Sequence, residues 1–323
     1  MSNVEIPDLR VSSMATVDTS PIVPDSGQSP PSLWSLAQRQ TDHALQCGAL
    51  QSIQTDYEFV EQDGVRFLVR VLANLVRKEK ATKKQQQLQR KGKDFNPFLP
   101  YEKDLFVSNL SPTHLCLLNK FNVVNHHLLI ITREFENQEN WLNFNDFFAL
   151  WMGLREIDGL AFYNGGKIAG ASQRHKHLQL IPMPLSPEGR AIPMEAILAH
   201  TNCEDVGYIP ALPFSHGFSQ LKLNPTDSST GVARTLLSCY RMLLEQVGGT
   251  QPLGSDRNSI PYNLLITRRW MLLVPRIHEN AYSISINALG FAGSLFVKNK
   301  FQLDLLKQKG PMTLLQTVGC PLN

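Results

Sequence analysis

The stretch GASQRHKHLQLIP, residues 170–182, carries two histidines one residue apart and a glutamine two residues further on. Side chains alternate along a β-strand, so His175, His177 and Gln179 share one face while Lys176, Leu178 and Leu180 share the other. Imidazoles so spaced allow three readings: chance polar residues on a solvent-facing strand, a metal chelate, or a nucleophile with its support. A local metal set would want another His, Asp or Glu on that face, and the neutral amide of Gln179 is a poor ligand. Only distant residues converging on the pair would make it a metal site.

The residues in front favour the nucleophile. Gly165, Gly166 and Gly170 let the backbone approach a ligand and turn its N–H groups inward, while Ser172 and Gln173 add donors, an arrangement suited to phosphate. An imidazole beside a phosphate cradle can displace a polyphosphate leaving group, hold the nucleotidyl unit as a phosphoramidate and hand it to an acceptor.

Strands and helices must position these groups. LWSLAQRQTDHALQCGAL has loosely helical spacing, and GVRFLVRVLANL alternates Val65, Phe67, Val69 and Val71 with Arg66 and Arg70, as in a half-buried strand. VVNHHLLIIT predicts a largely buried strand on which adjacent His126 and His127 point to opposite sides. Asn143 or Asn145 caps a helix over DFFALWMGLREI, with Phe147, Leu150, Trp151 and Leu154 on one stripe. LAFYN forms a short strand, the glycine loop follows, and RHKHLQLIPMP is the chemistry-bearing strand. Residues 184–230 look irregular. TGVARTLLSCYRMLLEQVGG is an amphipathic helix whose apolar stripe suits core packing rather than a partner. YNLLITRRWMLLVPR is a hairpin turning near Arg268 and Arg269, and SISINALGFAGSLFVK gives a strand, a turn and a further apolar element. The order predicts an α+β fold on a largely antiparallel sheet, with no Rossmann or P-loop motif.

Totals set outer bounds. The 323 residues, 42% hydrophobic, suffice for one large domain or two smaller ones. No stretch approaches 18 consecutive apolar residues and the N-terminus lacks a signal-peptide pattern, so the expectation is a soluble cytoplasmic protein. Cys47, Cys116, Cys203, Cys239 and Cys320 are widely spaced, which predicts buried reduced thiols rather than disulfides or structural zinc. Residues 77–93 hold eight basic residues against one Glu, a local +7 that leaves −4 on the rest of a chain of net charge +3. This segment contains no aromatic for base stacking, so nucleic acid is not an expected partner. It is read as a mobile basic excursion, and residues 1–33, rich in Ser, Pro and Thr, as a disordered arm.

NGGKIAGASQRHKHLQ resembles the diadenosine tetraphosphate phosphorylases, or ATP adenylyltransferases, of the histidine-triad superfamily, whose transferase branch carries H-x-H-x-Q. NPFLPYEKDLFV, LLNKFNVVNHHLLIITREFE, YNLLITRRWMLLVPR and INALGFAGSLFVK look like further blocks of that family, and the resemblance covers about residues 50–320. It implies a histidine-triad-like catalytic domain at 35–185, a linker at 186–204 and a C-terminal ATP adenylyltransferase region at 205–320 that completes the nucleotide site.

The same resemblance implies that His177 becomes adenylylated, that Gln179 holds the α-phosphate and that His175 orients the strand. It carries nucleotide or phosphate contacts to Asn164, to Gly170, Ala171, Ser172 and Gln173, to Lys78, Asn119 and Lys120, and to Asn287, Ala288, Leu289, Ser294 and Lys298. Ala171 would act through its backbone, Arg174 has no role, and Ser294 departs from the pattern because members often have an apolar residue there. The implied substrates are a dinucleoside polyphosphate, ATP, ADP and inorganic phosphate. The resemblance implies no required cofactor, with a divalent cation such as Mg2+ as a stimulant. Lys78, Lys120 and Lys298 would offset the substrate's negative charge. Two enzymatic alternatives are a sugar-1-phosphate nucleotidylyltransferase, disfavoured by the lack of paired cysteines, and a hydrolase, disfavoured by Gln179. A third, from another class, is a nucleotide-binding regulator on the same scaffold.

Overall fold

The computed structural model describes residues 30–72, 96–198, 206–249, 257 and 259–322. Lys78 and the rest of the 77–93 segment, Cys203 and residues 1–29 of the arm lie outside the described residues. Contacts divide the chain into Met1–Pro31 and Ser32–Asn323, and every element below belongs to the second.

Helix α1 spans Leu33–Gln46, capped by the Ser32 hydroxyl on the Ser35 N–H, and buries Leu33, Ala37, Thr41 and Ala44 on one face. Strands β1 (Thr55–Gln62) and β2 (Val65–Leu72) form a hairpin across Asp63 and Gly64, both at positive φ, the backbone a two-residue Asp-Gly turn adopts. β2 buries Val65, Phe67 and Val69 as expected but leaves Val71 half-buried, and it buries Leu68 as well. The main sheet then begins with β3 (Phe106–Asn109), β4 (His114–Leu118) and β5 (Leu128–Thr132). Strand β5 starts later than the sequence suggested. His126 sits at φ 55°, in left-handed backbone no strand residue adopts, so His126 and His127 belong to the turn before β5 and do not alternate across it.

Asn143 caps α2 (Phe144–Leu154) in a reciprocal capping box with Asp146. β6 (Gly159–Gly165) and β7 (His177–Pro182) follow, with the glycine loop between them. Residues 184–230 are less irregular than their prolines suggest: they contain α3 (Glu195–Leu198) and β8 (Gly217–Gln220), and Ile192, Met194 and Leu198 are buried. Helix α4 (Ser229–Gln246) packs its apolar stripe into the core, as its spacing predicts. β9 (Tyr262–Ile266) and β10 (Trp270–Pro275) form the expected hairpin. The short pair β11 (Asn280–Ala281) and β12 (Ile284–Ser285), α5 (Ala288–Phe291), β13 (Ser294–Val297), α6 (Lys300–Lys309) and α7 (Pro311–Val318) complete the chain.

The fold is α+β. Eight strands pair antiparallel in the order β3-β4-β5-β7-β6-β9-β10-β8, and a second sheet, β1-β2-β13, adds β13 parallel to β2. Behind β7, Leu178 and Leu180 enter the core formed with α1, α2 and α4. Burying each such leucine contributes roughly 1.5–3 kcal/mol, so β7 is anchored from that side. On the opposite face, the small sheet and the C-terminal helices cover Leu160, Ile181, Leu265 and Leu272. Beyond them a smaller cluster of Phe98, Leu115, Leu117, Leu129 and Ile131 continues on the face that carries His177 and Gln179. The described cysteines are unpaired, and Cys116 and Cys239 are buried as expected. Cys47 departs from that expectation: it caps α1 and is exposed. No described helix is long and apolar enough to cross a membrane.

Candidate active site

His177 opens β7 opposite Ile131, its backbone N–H donating to Gln138 Oε1 at 2.8 Å. Its Nδ1 lies 2.8 Å from the carbonyl oxygen of His175. A carbonyl only accepts, so Nδ1 carries the proton and Nε2 keeps its lone pair. The imidazole is 4% exposed. Burial pushes its pKa down to about 4, which leaves it neutral at pH 7.

The two histidines differ in kind. His175 donates from Nε2 to the Thr132 carbonyl at 2.8 Å and accepts at Nδ1 from Asn96 Nδ2 at 2.9 Å, so both ring nitrogens are engaged. Phe98 lies against both imidazoles, with centroids 5.6 Å from His175 and 5.4 Å from His177. Phe135 packs on His175 from another side. His175 fixes the strand's entry and supplies the carbonyl that sets the His177 tautomer.

Gln179, opposite Leu129 on β5 and Phe162 on β6, accepts at Oε1 from His127 Nε2 at 2.9 Å. Asn119 Nδ2 lies 3.3 Å from His127 Nδ1, which makes Nε2 the protonated nitrogen. The relay Asn119, His127, Gln179 thereby leaves the amide NH2 of Gln179 as its donating end, the polarity a phosphate oxygen needs.

The loop between β6 and β7 departs from its expected use. The N–H groups of Gly166, Ala169, Gly170 and Ala171 all close turns within the loop, so they are already satisfied and do not line an open anion cradle. Gly170 has a different purpose: at φ 89° a Cβ there would lie 2.9 Å from Asn287 Cβ and from the Ile286 carbonyl oxygen. Only glycine lets the loop dock so closely on the 286–289 segment. Asn164 joins the same regions: its Oδ1 accepts from Asn263 Nδ2 at 2.8 Å and from the Ala288 N–H at 3.0 Å. Asn287 caps α5 through the Leu289 N–H. Beneath them the buried guanidinium of Arg276 binds Asn263 Oδ1 and the Ile286 carbonyl. Burial pushes Arg276 down to about 10, leaving it a cation at pH 7.

Thus Asn164, Gly170, Asn287, Ala288 and Leu289 come together, as do Asn119, His175, His177 and Gln179. Ser172 is exposed and Gln173 half-buried on the last part of the loop. Lys120 pairs with Glu102 at 2.5 Å, Lys298 is exposed beyond β13, and Ser294 is fully buried with its hydroxyl unpaired. Sequence reasoning missed Asn96, Phe98, Thr132 and Gln138. Asn96, Phe98 and Thr132 lay inside blocks already singled out, NPFLPYEKDLFV and LLNKFNVVNHHLLIITREFE, whereas Gln138 carried no signal because its side-chain amide binds backbone groups of β6 and β7, which no local pattern encodes.

Behind β7, Lys176 is fully buried rather than merely apolar-facing: its ammonium binds Asp146 at 2.7 Å, Glu136 at 3.0 Å and the Trp141 carbonyl at 2.9 Å. His114 bonds the other Asp146 oxygen at 3.1 Å. Burial alone would push the Asp146 carboxyl up, but His114 and Lys176 outweigh it and hold it below the usual range. A cavity of about 580 Å³ lies nearby between α2 and α4, lined by Glu136, Trp141, Tyr240 and Arg241, on the side of the sheet away from His177. The chemistry-bearing groups are on the other face.

Two family models match the chain: the Ap4A phosphorylase N-terminal domain over residues 24–200 and the ATP adenylyltransferase C-terminal domain over residues 210–321. Diadenosine 5',5'''-P1,P4-tetraphosphate phosphorylase 2 of Saccharomyces cerevisiae is 30% identical over 237 residues, covering 66% of this chain and 72% of its own. Protein APA1 of the same yeast is 28% identical over 210 residues, covering 60% of this chain and 64% of its own. The crystal structure of yeast Ap4A phosphorylase Apa2 superposes with a TM-score of 0.71 at 23% identity, over 90% of this chain and 97% of that one. With the N-terminal model alone spanning more than half of the 323 residues, the chain belongs to the Ap4A phosphorylase family.

Proposed function

We propose that this protein is a nucleotidyltransferase that cleaves diadenosine tetraphosphate with inorganic phosphate, reversibly, to ATP and ADP. The observation that carries the reading is the buried, neutral His177, whose Nδ1–H bond to the His175 carbonyl leaves Nε2 free for attack beside the Gln179 amide. In the first step Nε2 attacks the α-phosphorus, the P–O bond to the departing chain breaks, and ATP leaves with the bonding pair. ATP is a stable anion, so it needs no general acid. In the second step an oxygen of inorganic phosphate attacks the same phosphorus, ADP forms, and the N–P electron pair returns to His177. The Gln179 NH2 donates to the equatorial oxygens on which charge accumulates.

The remaining contacts follow the docked segments. Asn164, Ser172 and Gln173 border the phosphates from the loop side, which Gly170 and Ala171 shape, and Asn287, Ala288 and Leu289 from the C-terminal side. The bond from the Ala288 N–H to Asn164 supports a division in which 205–320 closes the nucleotide site over the 35–185 domain. Lys78, Lys120 and Lys298 balance the polyphosphate charge, with Lys120 released from Glu102 by the incoming anion. Ser294, neutral and departing from the family pattern, adds a buried hydroxyl rather than charge. The unpaired thiols fit a reducing compartment, the cytoplasm.

The test is product analysis. Protein incubated with diadenosine tetraphosphate and phosphate should yield ADP and ATP in equal amounts, and without phosphate only a stoichiometric burst of ATP. Catalytic release of AMP and ATP without phosphate would make the protein a hydrolase and overturn the reading.

A further inference from the structure

Far from His177 in sequence, three side chains with metal-ligating atoms converge on the surface. His43 and Cys47 lie at i and i+4 at the C-terminal end of α1, the spacing that places two ligands on one helix face. Asp104 comes from a single 3-10 turn, Lys103–Leu105, about 60 residues away. His43 Nε2 is 2.9 Å from Asp104 Oδ1 and 4.0 Å from Cys47 Sγ, and all three ligand atoms lie within 4.8 Å of one another. The Asp104 carbonyl is independently tied to α1 by Gln40 Nε2 at 2.6 Å, which holds the carboxylate's segment in place. Among the described residues, this is the grouping of three such ligands.

We propose that His43, Cys47 and Asp104 form a binding site for a zinc-class divalent transition ion. The donor set decides the class: an imidazole, a thiolate and a carboxylate suit Zn(II), whereas Mg(II) and Ca(II) take oxygen ligands only. The geometry is close to what the ion requires. Zinc bonds of ~2.0–2.3 Å put tetrahedral ligands about 3.3–3.6 Å apart. The His43 to Cys47 gap and the Cys47 to Asp104 gap, the latter within 4.8 Å, must close, and the His43 to Asp104 gap must open slightly. Side chains 53% and 58% exposed can make that adjustment without disturbing the core. Without an ion, such an exposed His–Asp pair contributes little. Three protein ligands leave the fourth position to water.

The ion would fasten α1 to the segment that also carries Asn96 and Phe98, the partners of His175 and His177. The site is therefore a clip between that segment and α1, which packs behind β7, and takes no part in phosphoryl chemistry.

The test titrates zinc into the reduced full-length protein against a chromophoric chelator, with Cys47→Ser and His43→Gln beside it. Both substitutions are at the surface and outside the catalytic machinery, so both variants should fold and retain phosphorolysis in the presence of chelator. The expected result is one zinc bound by the parent protein and affinity weakened more than about 100-fold in each variant, beyond the effect of losing an outer-shell partner. Cobalt(II) should give a thiolate charge-transfer band in the parent that Cys47→Ser lacks. Zinc should raise the Tm of the parent but not of the variants. Absence of zinc binding by the parent, or equal binding by parent and variants, would overturn the proposal.

Discussion

The proposed nucleophile must meet its substrate unprotonated, and His177 is kept so by burial rather than by a neighbouring base. Formation of the adenylyl-protein should stay level from pH 8 to pH 5 and fall only as the pH approaches about 4, where His177 takes up a proton. A rapid-quench profile centred near 6.5 would show that the imidazole is not buried in this way. The same shift has a stability consequence of known sign. The folded-state pKa is depressed, so stability present above pH 6.5 is lost as the pH falls toward 4. Between pH 7 and pH 5 the loss is roughly 2 kcal/mol, to be read from urea unfolding of the parent protein and found missing in His177→Gln. His177→Ala should remove the acid-labile adenylyl-protein and lower turnover by more than ~10⁴-fold. At this scale the sequence was legible where a side chain does the chemistry, since His175, His177 and Gln179 stood on one face by alternation alone. It was illegible where a side chain sets another's tautomer or amide orientation. The pattern places His127 only on the side of its strand opposite His126, yet it acts by bonding Gln179, and nothing in the linear order links positions 127 and 179.

Elements fix these residues from both sides. Lys176, between the two histidines, reaches through the sheet to the capping-box carboxylate of α2, so the cap, the helix and β7 share one buried charge pair. Lys176→Met would strand Asp146 in the core and should destabilise the protein by ~3–5 kcal/mol in denaturant unfolding. Replacing both, Lys176→Met with Asp146→Leu, should recover only part of that loss, because the buried His114 Nε2 and the Asn143 N–H then lose their Asp146 partner. Docking of the glycine loop rests on Gly170: Gly170→Ala combines a positive φ with a contact of 2.9 Å to Asn287 and should cost ~1–3 kcal/mol. Because it parts the loop from the 286–289 segment, it should also raise KM for the dinucleotide, measured beside a Gly48→Ala control that has nothing within 4 Å. Apolar periodicity located α1, α2 and α4 well. It failed at β5, where VVNHH looks strand-like but a left-handed His126, its ring 2.9 Å from the Thr41 hydroxyl, lies in the turn that precedes the strand. It also hid the loop's self-satisfied N–H groups, because glycine content predicts freedom of the backbone and not the partners it chooses.

Across the whole molecule, one sheet draws strands from the stretches that match both family models: β6 and β7 from the first, β8, β9 and β10 from the second. The antiparallel, α+β character followed from the order of patterns along the chain. The pairing of β6 with β9 did not, because it depends on which edge is free in space rather than on any local signal. A fragment ending at residue 198 would leave β6 with an unpaired edge and Asn164 without Asn263 and Ala288. Such a fragment should fail to give dispersed NMR spectra and should aggregate at micromolar concentration, whereas co-expression with 206–323 should rescue a soluble complex. The pairing also imposes a delay while the chain is being made. Asn164 and Asn263 are 99 residues apart, so a ribosome adding ~5–20 residues per second reaches the partner strand roughly 5–20 seconds after β6 has been made. Through that interval the nascent polypeptide carries β6 and β7 on a sheet that lacks its neighbour, which makes this window the point at which a chaperone would be needed.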